Sequence, residues 1–292
     1  MPDPAKVPEP AISVQDTASW VAMYRALESE RLDALFHDQF ARRLAGESGA
    51  WFIAHMPKAK TYAWPMVVRT AIMDEIIVRL APSLDAVLNL AAGLDARPYR
   101  LALPPALRWF EVDFPEMLAR KTSALAYDKP VCVLERVPLD LADRVARRKL
   151  FEDVGAQAGL ALVISEGLLV YLDGTEVGTL ADDLALQPSF RFWLTDVASP
   201  FVLRMMKRSW GQRLGSGAAF KFAPEDAPAF FGQHGWHAAE YRSNLIEGGR
   251  LHRLPLAWFY RFVFAKWWHQ ESVRRSGPMA GVILLENAKV QG

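Results

Sequence analysis

The segment spanning residues 85–95, DAVLNLAAGLD, sets the architecture of the chain. Asp85 to Leu90 is a short apolar run of the kind that fills a buried strand, and it breaks at Ala91-Ala92-Gly93. Small residues at such a break let backbone N–H groups approach a ligand at the carboxyl edge of a parallel sheet. Downstream, apolar runs alternate with helical patterns. Strands are expected at Arg108–Val112, Val131–Val137, Leu160–Ile164 and Phe190–Val197, with helices from Pro115 and from Gly174. Asp173 and Glu176 make an Asp-x-x-Glu start signal for the second helix. Strands alternating with helices are the signature of βαβ units, so a doubly wound α/β fold is expected. A helix over 224–234, a strand over Trp236–Arg242 and a last strand over Ala280–Glu286 complete the reading. Periodicity alone equally admits a nucleotide-binding oxidoreductase.

Upstream of residue 85 the period is helical. Trp20, Tyr24 and Leu27, then Phe36, Phe40 and Leu44, place helices over 16–46. A further helix over 65–80 carries Pro65 in its first turn and an apolar stripe of Ile72, Met73, Ile76 and Leu80. Residues 1–15 are expected to be a flexible N-terminus. Residues 16–292 are expected to form one domain, with 16–80 as a helical cap and 245–275 as an aromatic insertion.

Composition bounds the function. The 292 residues are 51% apolar and 23% charged, enough for a large core. A net charge of +1 supplies no field for nucleic acid. The single cysteine, Cys132, lies in an apolar run and reads as a buried inert thiol. No metal site is expected, since His234 and His237 lack a carboxylate or cysteine at ligand spacing. The N-terminus shows no secretory pattern, and the apolar stretch 255–268 is short and interrupted by Arg261 and Lys266. A cytoplasmic protein without membrane partners is expected.

Charged residues in apolar surroundings mark the chemistry. Gly93 opens the turn after the first strand, and the G-x-G-x-x-G pattern of a pyrophosphate site is absent, which favours a ligand with an adenosine and no phosphate. Asp113, 20 residues after Gly93, stands where an acid accepts ribose hydroxyls, although Glu111 points to the same strand face and spacing does not choose between them. Asp140 follows the third strand, either facing an adenine beside Leu141 or capping the next helix. Glu166 is a carboxylate between apolar runs and needs a cation. Arg69 lies within the apolar stripe and needs an anion, either a protein carboxylate or a ligand carboxylate. Ser165 lacks the nucleophile-elbow pattern. His55, His234, His237 and His252 are candidate bases outside any motif. Tyr171, His252 and Trp258 are candidates for the substrate pocket, with Trp258 in an aromatic stretch suited to roofing a planar substrate, to ordinary helix packing or to a dimer face.

Several blocks occur in order: AMYRALESERLDALFHDQF (22–40), VVRT (67–70), NLAAGLDARPYRL (89–101), FEVDFPEMLARK (110–121), LDL (139–141) and SEGLLVYL (165–172). Together they resemble the leucine carboxyl methyltransferase family, in particular its bacterial branch of polyketide O-methyltransferases of the tetracenomycin type. The resemblance covers roughly residues 16–200. It implies a class I methyltransferase fold: a mostly parallel seven-stranded sheet with an N-terminal helical cap, binding S-adenosylmethionine. In that family the positions matching Arg69, Gly93, Asp113, Asp140, Leu141 and Glu166 contact the cofactor. Arg69 would hold the methionine carboxylate, Asp113 the ribose, Asp140 and Leu141 the adenine region, and Glu166 the amino group. Ala91 stands where the family often has glycine. The expected activity is O-methyl transfer to a carboxylate or hydroxyl of an aromatic or polyketide-like small molecule; no catalytic residue is assigned. The alternatives are an NAD-dependent oxidoreductase and a non-catalytic cofactor-binding scaffold. The expected partners are the methyl acceptor and, through the aromatic stretch, a second copy of the chain.

Overall fold

A computed structural model describes residues 13–56, 59–210, 219–255 and 280–290. Trp258 and most of the aromatic insertion lie outside the described residues, as does nearly all of the expected flexible N-terminus.

Five strands, β1 (Ala86–Leu90), β2 (Arg108–Asp113), β3 (Val133–Pro138), β4 (Ala161–Ser165) and β5 (Phe190–Val197), run parallel in the spatial order β3-β2-β1-β4-β5. Strands β6 (Trp236–Ser243) and β7 (Gly281–Asn287) complete a seven-stranded sheet, with β7 inserted antiparallel between β5 and β6. Every residue of β1 and β4 is buried. That follows from helices covering both faces, and it explains why these strands read as unbroken apolar runs. Alternation still divides them. Leu88, Leu90, Val112 and Val163 face one core with Phe151, Leu184, Trp193 and Trp236. Val87, Trp109, Leu162 and Ile164 face the other with Ile72, Met73 and Ile76.

The helix α1 (Val14–Ser29) starts with a capping box between Ser13 and Asp16. It pairs with α2 (Ala41–His55), where Trp20 stacks on Phe52 at 4.2 Å. The helical expectation for 16–46 is corrected between these two: residues 30–40 form turns, organised by the buried Asp38 carboxylate, which accepts from Phe40 N and Arg25 Nε. Phe36 and Phe40 are buried there without being helical. The helix α3 (Ala63–Leu80) lies along one sheet face. The third strand starts at Val133, not Val131, because Val131 N bonds Pro98 O before the ladder with β2 begins at Arg108.

The remaining helices are α4 (Arg97–Arg100), α5 (Pro115–Ala124), α6 (Arg144–Gly155), α7 (Gly174–Ala185), α8 (Pro200–Trp210), α9 (Ala227–Gly232) and α10 (Asn244–Arg250). The helix expected over 224–234 is cut to α9 by Asp226, whose side chain caps Ala229 N. Cys132 is buried, and burial pushes its thiol up to about 11. Among the described residues, no helix is long and apolar enough to cross a membrane.

Candidate functional site

The carboxyl ends of β1, β2 and β4 open into a cavity of about 660 Å³, within the range of small-molecule sites. Arg69, Gly93, Asp113, Asp140, Leu141 and Glu166 all line it, and so does Tyr171. His252 does not. It occupies a left-handed turn after α10 (φ 55°), which corrects its assignment to the substrate pocket. His55, His234 and His237 are likewise absent from the cavity wall: His55 bonds Trp51 O, and His234 bonds Asp182 on α7.

At the β1–β2 corner the backbone turns through Ala91 (φ 51°) and Gly93 (φ 46°), both left-handed. Gly93 N donates to Asp113 Oδ2 at 2.7 Å, and Phe114 N donates to Oδ1 at 2.7 Å. Burial raises the Asp113 pKa and prevails over these two bonds, which lower it. Glu111 and Asp113 differ in their partners. Glu111 is fully buried below the corner, bound to Lys121 Nζ at 2.7 Å and Arg136 Nε at 3.0 Å, whereas Asp113 faces the cavity. Phe114 beside it is 43% exposed, an aromatic ring left open on the cavity wall.

After β3, Asp140 Oδ1 accepts Ala142 N at 2.9 Å, a local turn. The cap of α6 is Asp143, bound to Ala146 N, so Asp140 is not the cap. Arg147 donates to Leu141 O at 2.9 Å and also binds Asp183 of α7, which ties the Asp140–Leu141 turn to the helix layer.

The cavity floor is an ion cluster. Arg69 Nε donates to Glu166 Oε1 at 3.0 Å and its Nη1 to Asp196 Oδ2 at 2.9 Å. Arg97 Nη1 donates to Glu166 Oε2 at 2.7 Å, and its other contacts are Asp95 and Asp74. Burial alone would raise the Glu166 pKa, but Arg97 and Arg69 prevail and hold it at about 2. The anion that Arg69 requires is therefore supplied by the protein itself. Arg97, Asp95 and Asp196 escaped the sequence reading. Asp196 lies one residue before the end of β5 and outside the Gly93 spacing that selected Asp113; the Arg97 and Glu166 pairing spans 69 residues and leaves no local signal.

Beyond the floor the wall turns apolar, with Trp20, Tyr62, Met66, Met205, Met206 and Phe220. Tyr171 joins it, its hydroxyl donating to Thr17 Oγ1 on α1 at 3.1 Å and its ring 5.6 Å from Phe220.

Strand order, strand direction and the position of the cavity define the class I methyltransferase fold. Solved structures agree: a Thermobifida fusca protein provisionally named a methyltransferase matches with a TM-score of 0.54 at 16% identity, covering 96% of this chain and 95% of that one. A DUF574-family protein of Streptomyces avermitilis matches with a TM-score of 0.57 at 12% identity, covering 91% and 96%. These two likenesses concern the fold. In sequence, the leucine carboxyl methyltransferase family model matches residues 18–185. A Streptomyces coelicolor protein, provisionally named an S-adenosyl-L-methionine-dependent methyltransferase, is 32% identical over 237 residues, 76% of this chain and 83% of the relative. A similarly named Parafrankia protein is 33% identical over 247 residues, 79% of each chain. The chain belongs to the leucine carboxyl methyltransferase family.

Proposed function

We propose that this chain, an S-adenosylmethionine-dependent methyltransferase, transfers the methyl group to an oxygen of an apolar small molecule, either a carboxylate or a hydroxyl. The observation that carries the reading is one cavity with two chemically different halves: a strand-end half bearing Gly93, Asp113 and Glu166, and an apolar half bearing Trp20, Met205 and Phe220.

The residues of the first half fit the donor. A carboxylate has about four acceptor sites, and Asp113 uses two on Gly93 N and Phe114 N, so it retains capacity for a ribose diol. Gly93 leaves the corner without a side chain, and an added Cβ would lie 3.5 Å from that of Ala18. Phe114 and Leu141 offer apolar surface to an adenine, with Asp140 at its edge. Arginine carries five N–H donors, and the contacts of Arg69 with Glu166 and Asp196 use at most three of them. A ligand carboxylate would take the rest, and a ligand ammonium would lie beside Glu166. Bound there, S-adenosylmethionine supplies an electrophilic methyl group on a cationic sulfur.

The chain's own part is to orient the acceptor and exclude water. Tyr171, tied to Thr17, and Phe220 present adjacent ring faces to a planar acceptor. An ionised carboxylate needs no base, and the carboxylates of the floor are engaged by arginines. Calorimetry tests the donor: S-adenosylhomocysteine is expected to bind and NAD not to. NAD binding without a response to S-adenosylhomocysteine would remove the proposal. Incubation with aromatic carboxylic acids and phenols, followed by mass spectrometry for one added methyl, tests the acceptor.

A further inference from the structure

Asp196, one residue before the end of β5, lines the cavity beside Glu166, yet the donor contacts above give it no part. Both of its oxygens are engaged. Oδ1 accepts the Gly167 N–H at 2.6 Å, and Oδ2 accepts Arg69 Nη1 at 2.9 Å. Gly167 is left-handed (φ 69°), and a Cβ built on it would lie 3.5 Å from Arg69 Nη1, so the guanidinium lies directly against this turn. Glu166 in turn accepts from Arg69 Nε. The result is a closed ring of contacts running from Arg69 on α3 to Glu166 and Gly167 after β4, then to Asp196 and back to Arg69.

Glu166 cannot take over the role of Asp196, because its second oxygen is held by Arg97 Nη1 at 2.7 Å. Without Asp196 the Arg69 side chain, which has several rotatable bonds, would be fixed on one oxygen only, and the Gly167 N–H would lose its acceptor. Arg69, which faces the donor's methionine end in the proposed function, and the turn that follows Glu166 would each lose one of their anchors.

We propose that Asp196 is a positioning residue for the methyl donor, fixing the Arg69 guanidinium and the Glu166–Gly167 turn in the orientation from which they face the cavity. The proposal rests on the donor reading above. Asp196 acts through Arg69 and Gly167 and not by touching the sulfonium, so it does not distinguish the cationic donor from its neutral product.

The test is calorimetry of the full chain with S-adenosylmethionine and with S-adenosylhomocysteine, alongside thermal melts. Asp196→Asn keeps the shape but has a single oxygen, which satisfies either Gly167 or Arg69. It is expected to bind both ligands about tenfold more weakly, and by the same factor. Asp196→Glu, with both oxygens and the charge, is expected to lose less. In a double-mutant cycle with Arg69→Lys, the two losses are expected to be smaller together than their sum, since one acts through the other. Unchanged affinity in folded Asp196→Asn, a loss confined to S-adenosylmethionine, or additive losses in the cycle would each overturn the assignment. Should Asp196→Asn not fold, Asp196→Glu carries the same two-ligand comparison, and unequal losses there overturn it too. Failure of the unaltered chain to bind either ligand overturns the donor reading and this proposal with it. Normal parental binding with an unaffected Asp196→Asn removes this proposal alone.

Discussion

Asp113 holds the β1–β2 corner with the same carboxylate that faces the cavity. Truncation to alanine would therefore strip two backbone N–H groups of their acceptor as well as any ligand contact. Asp113→Asn is the cleaner variant, and its affinity for S-adenosylhomocysteine is expected to fall about tenfold in calorimetry. Arg69 carries a different expectation. A side chain without a protein partner would be replaceable by methionine at little cost. Here Arg69→Met leaves Asp196 without its arginine and Glu166 with Arg97 alone, so the apo protein is expected to lose about 3–5 kcal/mol, read from denaturant melts. Ala91 supplies the opposite sign. Its φ of 51° is one that glycine adopts freely and alanine does not, so Ala91→Gly is expected to raise stability by about 1 kcal/mol. Of the charges legible in the sequence, Arg69 and Glu166 stood out through apolar neighbours and Asp113 through its spacing of 20 residues from Gly93. Asp95 and Arg97 lie in a short polar run, DAR, and their roles exist only once β4 and α3 are brought beside them.

Among the elements, legibility followed the covering of the sheet. The parallel strands were read to within two residues: β1 and β4 because helices bury both faces and leave a bounded apolar run, while β3, largely exposed at the sheet edge, was read two residues early. The α7 start was legible through Asp173 and Glu176, whose reciprocal bonds are both present. Asp173→Ala is expected to cost about 1 kcal/mol in chemical denaturation. Segment 30–40 misread as helix because Phe36 and Phe40 are spaced for one, while what holds them is a buried carboxylate. Asp38 binds Arg25, and Arg25 also donates to Leu94 O across the cavity corner at 2.6 Å. Periodicity carries no information about such long-range polar ties.

At the scale of the molecule, the buried ion cluster makes stability depend on acid. Glu166 is held at about 2 in the folded chain against an ordinary 4.5, and Asp95 is lowered as well. A lowered folded pKa means that the stabilisation is complete above the ordinary carboxylate range and is lost as pH falls towards 2. Thermal melts stepped from about pH 6 to about pH 2 are expected to show a steep fall in Tm below about pH 4.5. Glu166→Gln, which has no proton to gain there, is expected to flatten part of that fall.

The place of β7 has a consequence for how the chain comes off the ribosome. It follows β6 in chain order yet lies between β5 and β6, so those two strands have no direct ladder to one another. Among the described residues β7 is the one strand that pairs with β6, so until residues 281–287 are synthesised β6 lacks that ladder and the β5 edge beside Trp193 lacks its antiparallel neighbour. A nascent chain stalled before Gly281 would therefore present an unfinished sheet to chaperones and proteases, however complete its cofactor corner at β1 and β2 had become.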